Sequence, residues 1–365
     1  MLRKFSVTGF RGFKNRVTFD LSKAHDYSFN SHLIRNGLVA SGIIYGVNGS
    51  GKSSLGFALF DIVGMLTDYQ LAEPMRDFSA FLNADTERKT ALFEYEFAFG
   101  ENIIKFSYRK SAPDVIVEEK LYLNCILLLN RSNGHVTLYS DNNLNIPVLP
   151  DNLSALRYIF RNTTLDDNHP IKFVVSFAEK MLWFRSLNSR GYCGYTSGSN
   201  KLTDELSKNG KIKEFEAFLK DTAGIRLKLE LHENIAGNKE LYIKYPHRYV
   251  NFFNASSTGT QELLLIFYWI SVALDDVKFL FIDEFDAFYH FELAARIIQN
   301  ISSKQSLQSF FTSHNTYLAS SQLMRPDCYF ILSKGEIHSF ADATPRELRE
   351  GHNLEKLLRN GEFDA

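Results

Sequence analysis

The sequence predicts an α/β fold interrupted by an antiparallel β subdomain and a short helical insertion. Three observations predict it. An apolar run from Leu38 to Tyr45 enters a glycine-rich turn, and apolar residues at helical spacing come next. Between about 90 and 140 the periodicity becomes two. The last third returns to strands alternating with helices.

Residues 1–20 alternate in character and contain Phe10-Arg11-Gly12-Phe13, which reads as an opening strand and turn. Leu38–Tyr45 reads as a buried parallel strand. Leu55, Ala58, Leu59, Ile62, Val63 and Leu66 then mark one face of a helix. Phe93, Tyr95, Phe97 and Phe99 share one side of a strand, with Glu94 and Glu96 on the other. Gly100-Glu101-Asn102 turns the chain, and runs at 103–109, 115–123, 125–130 and 135–139 complete an antiparallel sheet. Residues 151–221 read as mostly helical, with Val174, Phe177, Met181 and Phe184 on one face and a flexible loop at Gly191–Asn200. A hairpin over 225–231 and 240–245 turns at Gly237-Asn238. After it come a helix at 260–274, a strand at 277–282, a helix at 290–303 and a strand at 308–312. A last hairpin, Cys328–Ser333 with Glu336–Phe340, turns at Lys334-Gly335. Thr344-Pro345-Arg346-Glu347 reads as a capping box that starts a helix. The expected domains are an N-terminal lobe (1–150), a helical insertion or short arm (151–224) and a C-terminal lobe (225–365).

Bulk properties narrow the class. With 45% hydrophobic residues, the 365-residue chain can build a sizeable core. Its net charge of −1 gives no bulk signal for nucleic acid, so such a surface would be a local basic patch. Cys125, Cys193 and Cys328 are isolated, without metal-ligand spacing, and fit a reducing compartment. The N-terminus lacks a signal-peptide core, and the longest apolar run, Leu263 to Leu274, is too short to span a bilayer. A cytoplasmic protein with no membrane partner is expected.

Four motifs carry chemistry. Gly46-Val47-Asn48-Gly49-Ser50-Gly51-Lys52-Ser53 matches the phosphate-binding loop and lies between a strand and a helix. Its glycines let backbone N–H groups turn toward phosphate oxygens at a helix N-terminus. The expected nucleotide contacts are Gly46, Asn48, Gly49, Ser50, Gly51, Lys52, Ser53 and Ser54, with Lys52 on the β- and γ-phosphates and Ser53 on Mg²⁺. Phe279-Leu280-Phe281-Ile282-Asp283-Glu284 is an apolar strand ending in two acids; Asp283 is the second expected Mg²⁺ ligand and Glu284 the general base. Ser256-Ser257-Thr258-Gly259-Thr260-Gln261 ends 22 residues before Asp283 and precedes an apolar helix; alone it reads as a helix cap. Phe310-Phe311-Thr312-Ser313-His314 ends a strand in a histidine 31 residues after Asp283.

Together these motifs resemble ABC-type ATPases of the SMC-like and RecF-like kind. Ser257 and Gly259 match the signature serine and second glycine, although Ala255 or Ser256 stands where leucine is usual. The resemblance implies a P-loop NTPase fold of ABC-ATPase type and a homodimer, or a higher oligomer of dimers, that shares ATP between copies. It implies that His314 contacts the γ-phosphate, that Arg11 lies near the nucleotide, and that Asp286, before His290, communicates across the dimer. A Q-loop glutamine is missing: Gln70, the sole glutamine between loop and signature, falls only 18 residues after Lys52.

The resemblance covers about 1–66 and 250–360. The tail from Arg349 to Phe363 resembles bacterial AAA-15/AAA-21-type ATPases, among them RloA-like and abortive-infection ATPases related to OLD proteins. Residues 151–221 leave no room for SMC-length coiled-coil arms, and the 51 residues after His314 carry no Toprim-like Asp-x-Asp cluster. The reading is an ATPase of an anti-phage system that acts with a separate nuclease or toxin. The alternative is a RecF-like repair ATPase that binds DNA.

Overall fold

The computed structural model describes residues 1–68, 80–139, 146–185, 191–194, 206, 210–234, 237, 239–268, 271, 274, 276–287 and 289–363. The chain packs as two units. One comprises Met1–Ser197, Val277–Phe285 and Gln305–Ala365; the other comprises Gly198–Asp276 and Asp286–Lys304.

The first unit contains two seven-stranded sheets. Its opening strands are β1 (Leu2–Thr8), β2 (Val17–Asp20), the short β3 (Ile34–Arg35) and β4 (Leu38–Val39), and β5 (Ser41–Tyr45). Helix α1 (Lys52–Leu66) follows. Next come β6 (Ala91–Phe99), β7 (Asn102–Ala112), β8 (Val115–Leu123), β9 (Ile126–Ser132) and β10 (His135–Leu138). The antiparallel sheet has the order β10-β9-β8-β7-β6-β1-β2. Its alternation sorts as predicted: Phe93, Tyr95 and Phe97 are buried, while Glu94 and Glu96 lie on the other face and pair with Lys105 and Arg3.

After α2 (Ala155–Asn162) and α3 (Pro170–Glu179) come β11 (Met181–Arg185) and β12 (Gly191–Gly194). With β16 (Phe279–Asp283), β17 (Gln308–Thr312), β18 (Tyr329–Ser333) and β19 (Glu336–Ser339) they form the second sheet, ordered β12-β11-β16-β17-β5-β18-β19. Its five inner strands run parallel, and both edges are antiparallel hairpin partners. Strands β5, β16 and β17 are buried at every residue, as a parallel sheet covered on both faces requires. Helix α1 lies between the two sheets. Tyr95 Oη, from the antiparallel sheet, donates to Ala58 O at 2.9 Å, while Trp183 on β11 meets Phe57 and Phe60 from the other side. That position explains why α1 is apolar nearly all round.

Two sets of buried charges belong to the antiparallel sheet. Asp61 on α1 accepts from Lys110 Nζ at 2.8 and 3.0 Å and from Tyr108 Oη at 2.9 Å. Glu119 accepts from Arg131 Nη1 at 2.8 Å, Ser154 Oγ at 2.6 Å and the Ala155 amide at 2.8 Å, which opens α2.

The second unit contains α4 (Lys211–Ala223), the sheet β13 (Leu229–Glu233), β14 (Lys239–Lys244) and β15 (Tyr249–Asn251), then α5 (Phe252–Ala255), α6 (Thr258–Tyr268) and α7 (Phe291–Ser302). Phe215 on α4 packs on Phe252 and Phe267 with centroids 6.1 and 5.1 Å apart.

Two expectations are corrected. Met181 and Phe184 lie on β11, not on a helix. Helix α3 ends at Glu179, and Met181-Leu182-Trp183-Phe184 is a buried run paired in parallel with β16. Thr344-Pro345-Arg346-Glu347 starts no helix. Thr344 Oγ1 accepts from the amide two residues on, Arg346, and Glu347 turns to Arg349. The last helix, α8 (Leu354–Arg359), is capped by Asn353 instead. Part of the predicted loop, Gly191–Gly194, is strand β12; its remainder, 195–200, lies outside the described residues, as do Gln70 and Asn238.

Candidate functional site

The site is built where β5 and β16 end on one edge of the parallel sheet. Gly46 follows β5 because nothing larger fits: a Cβ there would lie 2.6 Å from Leu332 O and 2.5 Å from Ser50 Oγ. Gly51 takes φ 106° and sits against Phe13, which a Cβ would approach to 2.9 Å. Asn48 and Gly49 are exposed at the loop crest. Ser50 Oγ is buried with no hydrogen-bond partner among the described residues, so the loop holds a polar atom still to be satisfied. The first intrahelical bond of α1 runs from Leu55 N to Gly51 O. The amides of Lys52, Ser53 and Ser54 precede it, at the positive end of the helix.

Lys52 curls over the loop, donating from Nζ to Gly46 O at 2.7 Å and Val47 O at 3.1 Å. Burial holds its ammonium pKa below the usual lysine range, and the nearby negative charges of Asp283 and Glu284 oppose that shift. Lysine and both acids therefore act on one another at one sheet edge.

Asp283, 4% exposed, ends β16. Its Oδ1 accepts from Thr312 Oγ1 at 2.6 Å, and the same hydroxyl accepts from the Glu284 amide at 2.7 Å. Glu284 itself has φ 53°, a left-handed backbone that few non-glycine residues adopt and that concentrates at functional sites. His314, two residues beyond Thr312, is exposed and lines a cleft of about 230 Å³ with Tyr45, Gly46, Val47 and Ser313. Beneath α1, the Arg11 guanidinium stacks 4.0 Å from the Phe57 ring centroid, one face of the helix that the loop opens.

Among the described residues no three His, Cys, Asp or Glu are grouped to hold a metal. Mg²⁺ needs none, since it binds through one or two protein oxygens and substrate phosphates. The Ser53 hydroxyl and the Asp283 carboxylate fit that donor set.

Ser257 lies on the second unit. Its Oγ bonds to Thr260 Oγ1 at 3.0 Å and accepts the Thr260 amide at 3.3 Å, so it caps α6. Gln261 Nε2 donates back to Phe253 O and Ser256 O, fixing the turn before the helix. Ser257 is exposed and Gly259 half-buried, so this helix start faces solvent. His290 occupies the position before α7 but makes no side-chain cap.

Sequence reasoning missed two features. Thr312 joins both acids, and its polar side chain at the end of an apolar strand was the available signal. Strand β11 ends at Arg185 in register with Asp283, a parallel neighbour of the acid strand.

A glycine loop opening α1, beside a parallel strand that ends in paired acids, is the arrangement of a P-loop nucleoside triphosphatase. A solved Smc head bound to the C-winged helix domain of ScpA has the same fold, with TM-score 0.51, 14% identity, and coverage of 93% of this chain and 97% of that one. The Smc head of Pyrococcus furiosus with an extended coiled coil, bound to the C-terminal domain of ScpA, aligns at TM-score 0.49 and 12% identity over 99% and 98%. The SMC head domain of Thermotoga maritima aligns at 0.47 and 15% over 95% and 99%. No curated protein matches by sequence. Residues 43–320 match the family AAA_21, described as "AAA domain, putative AbiEii toxin, Type IV TA system". The chain belongs to this family and is an ATPase. Among the described residues, no helix is long and apolar enough to cross a membrane.

Proposed function

We propose that two copies of this chain close around MgATP, hydrolyse it, and regulate a separately encoded nuclease or toxin in an anti-phage abortive-infection system. The observation that carries the chemistry is the convergence of Lys52, Asp283 and Glu284 at one sheet edge, with Thr312 joining the acids. Loop amides and Lys52 hold the phosphates. Ser53 and Asp283 hold Mg²⁺, which supplies charge neutralisation at the phosphate oxygens. Glu284 accepts the proton of the attacking water, and His314 donates to the γ-phosphate from the cleft it shares with the loop. The exposed start of α6, with Ser257 and Gly259, supports the dimer: it offers hydroxyl and amide donors to a phosphate held by the partner copy. The family's description as a toxin of a type IV system supports the defence setting.

Glu284→Gln tests the core of this reading. It should lower turnover by about 10²–10⁴-fold and trap an ATP-bound dimer, seen by light scattering in ATP. Parental turnover in this variant would remove Glu284 as the base.

A second reading, a RecF-like ATPase that binds DNA, is favoured by one surface. Lys244-Tyr245-Pro246-His247-Arg248-Tyr249 is exposed throughout, and the Lys244 amide bonds to Lys228 O, which brings exposed Lys228 alongside. Lys244 pairs with Glu230, but Lys228 and Arg248 add positive charge beside two exposed tyrosine rings. DNA affinity should fall with salt and drop further in Lys228→Glu/Arg248→Glu. Affinity unchanged by that charge reversal would eliminate this surface.

A further inference from the structure

We infer that Thr312 is a positioning residue for ATP hydrolysis, its one hydroxyl fixing both acids at the end of β16. The inference rests on the roles given above to Asp283 and Glu284. Thr312 is fully buried at the end of β17, the strand between β16 and β5. A hydroxyl has one proton and two lone pairs. Here the proton goes to Asp283 Oδ1 at 2.6 Å, in the short range of a bond to a charged acceptor, and a lone pair takes the Glu284 amide at 2.7 Å.

Each bond has its own consequence. Pinning one carboxylate oxygen of Asp283 fixes the direction of the other, which a metal ligand needs. Holding the Glu284 amide anchors a residue whose φ of 53° the chain would otherwise relax. The Thr312 carbonyl adds a third link, accepting from Phe285 N at 3.1 Å. Residues 283, 284 and 285 thus all turn on Thr312, while His314 lies two residues further along the same segment. A packing threonine would need only its methyl group; this one commits its hydroxyl to the two acids.

The test compares Thr312→Val and Thr312→Ala, which lack the hydroxyl, with Thr312→Ser, which keeps it. Measurements are kcat, the Mg²⁺ concentration for half-maximal rate, Mn²⁺ binding in the presence of ATP by paramagnetic resonance, ATP affinity in EDTA, and Tm. Val and Ala should lower kcat and weaken metal affinity by about 10- to 100-fold each, with metal-free ATP affinity unchanged. Ser should restore both to near parental values. Val and Ala variants that keep parental kcat and metal affinity would overturn the inference. So would a Ser variant that falls as far as Ala, since packing would then explain the loss. Should Val fold poorly, the Ser and Ala pair decides, because both lose the methyl and differ in the hydroxyl alone. Asp283→Asn and Glu284→Gln serve as controls: if both hydrolyse ATP at the parental rate, the site assignment falls and takes the inference with it. If both are inert while Thr312→Val is active, only the inference falls.

Discussion

Helix α1 has charged groups at two places that use similar chemistry to opposite ends. Midway along it, Asp61 is closed in: two bonds from Lys110 and one from Tyr108 occupy its oxygens inside the packed core. Burial, with Asp61 adding to it, pushes the Tyr108 hydroxyl well up, so it stays a donor. At its start, Lys52 donates to carbonyls of its own loop, its only acceptors among the described residues, and meets Asp283 and Glu284 through space. The two places separate structural charge from functional charge. A structural pair is saturated by its own neighbours, whereas a working site holds opposite charges close without letting them neutralise one another.

The largest expected effect falls at the open end. Lys52→Ala should weaken ATP binding by at least about 100-fold, the scale of losing charge-assisted contacts to phosphate. Calorimetry of ATP binding checks this; unchanged affinity would mean that the loop is an ordinary turn. The next effect tests the closed end. Lys110→Met leaves the Asp61 carboxylate buried without its cation, which costs roughly 3–5 kcal/mol. Urea unfolding should show that loss, and the double variant Asp61→Asn/Lys110→Met should recover part of it. A loss below about 1 kcal/mol in the single variant would undo the contrast.

The smallest effect is read through pH. His169 caps α3, the helix packed beside α1, by accepting the Ile171 amide on Nδ1 at 3.2 Å. Burial lowers its pKa, with Asp166 opposing. A histidine with a depressed folded pKa stays neutral in the fold while the unfolded chain takes up a proton. Its contribution is therefore present above the ordinary pKa of 6.5 and is lost as pH falls through the lowered folded value. His169→Asn keeps a side-chain acceptor at the cap and should reduce the acid sensitivity, read as a flatter Tm between pH 7 and 5. An unchanged slope would assign that sensitivity elsewhere.

Much of this was legible in the sequence, for local reasons. Gly46–Ser53 is contiguous, and its glycines are dictated by backbone angle and by Leu332 O and Phe13. The period-two run at Phe93–Phe97 needs only one buried face to be recognised. The final hairpin was readable from Lys334-Gly335, whose φ values of 51° and 78° suit its tight turn. The missed features depend on partners far away in the chain. Met181–Phe184 continues the helical spacing of α3, and only pairing with β16, about a hundred residues on, makes it a strand. Thr344 offers the cap pattern, but Glu362 takes its hydroxyl proton at 2.7 Å and Arg349 takes Glu347. Thr312 lies inside the motif that ends in His314, but its link to the acids exists only because parallel pairing sets Phe311 beside Ile282.

The position of β17 between β5 and β16 gives the site a ruler. The phosphate-loop strand and the acid strand stand two inter-strand spacings apart, roughly 9–10 Å, and β17 keeps that gauge. A strand alternates its faces, so a one-residue insertion or deletion within Gln308–Thr312 would turn Thr312 away from the acids and reverse the facing of the residues beyond it. Substitutions along β17 alter the site by degrees, whereas a change in its length mistimes every tooth of the gauge at once.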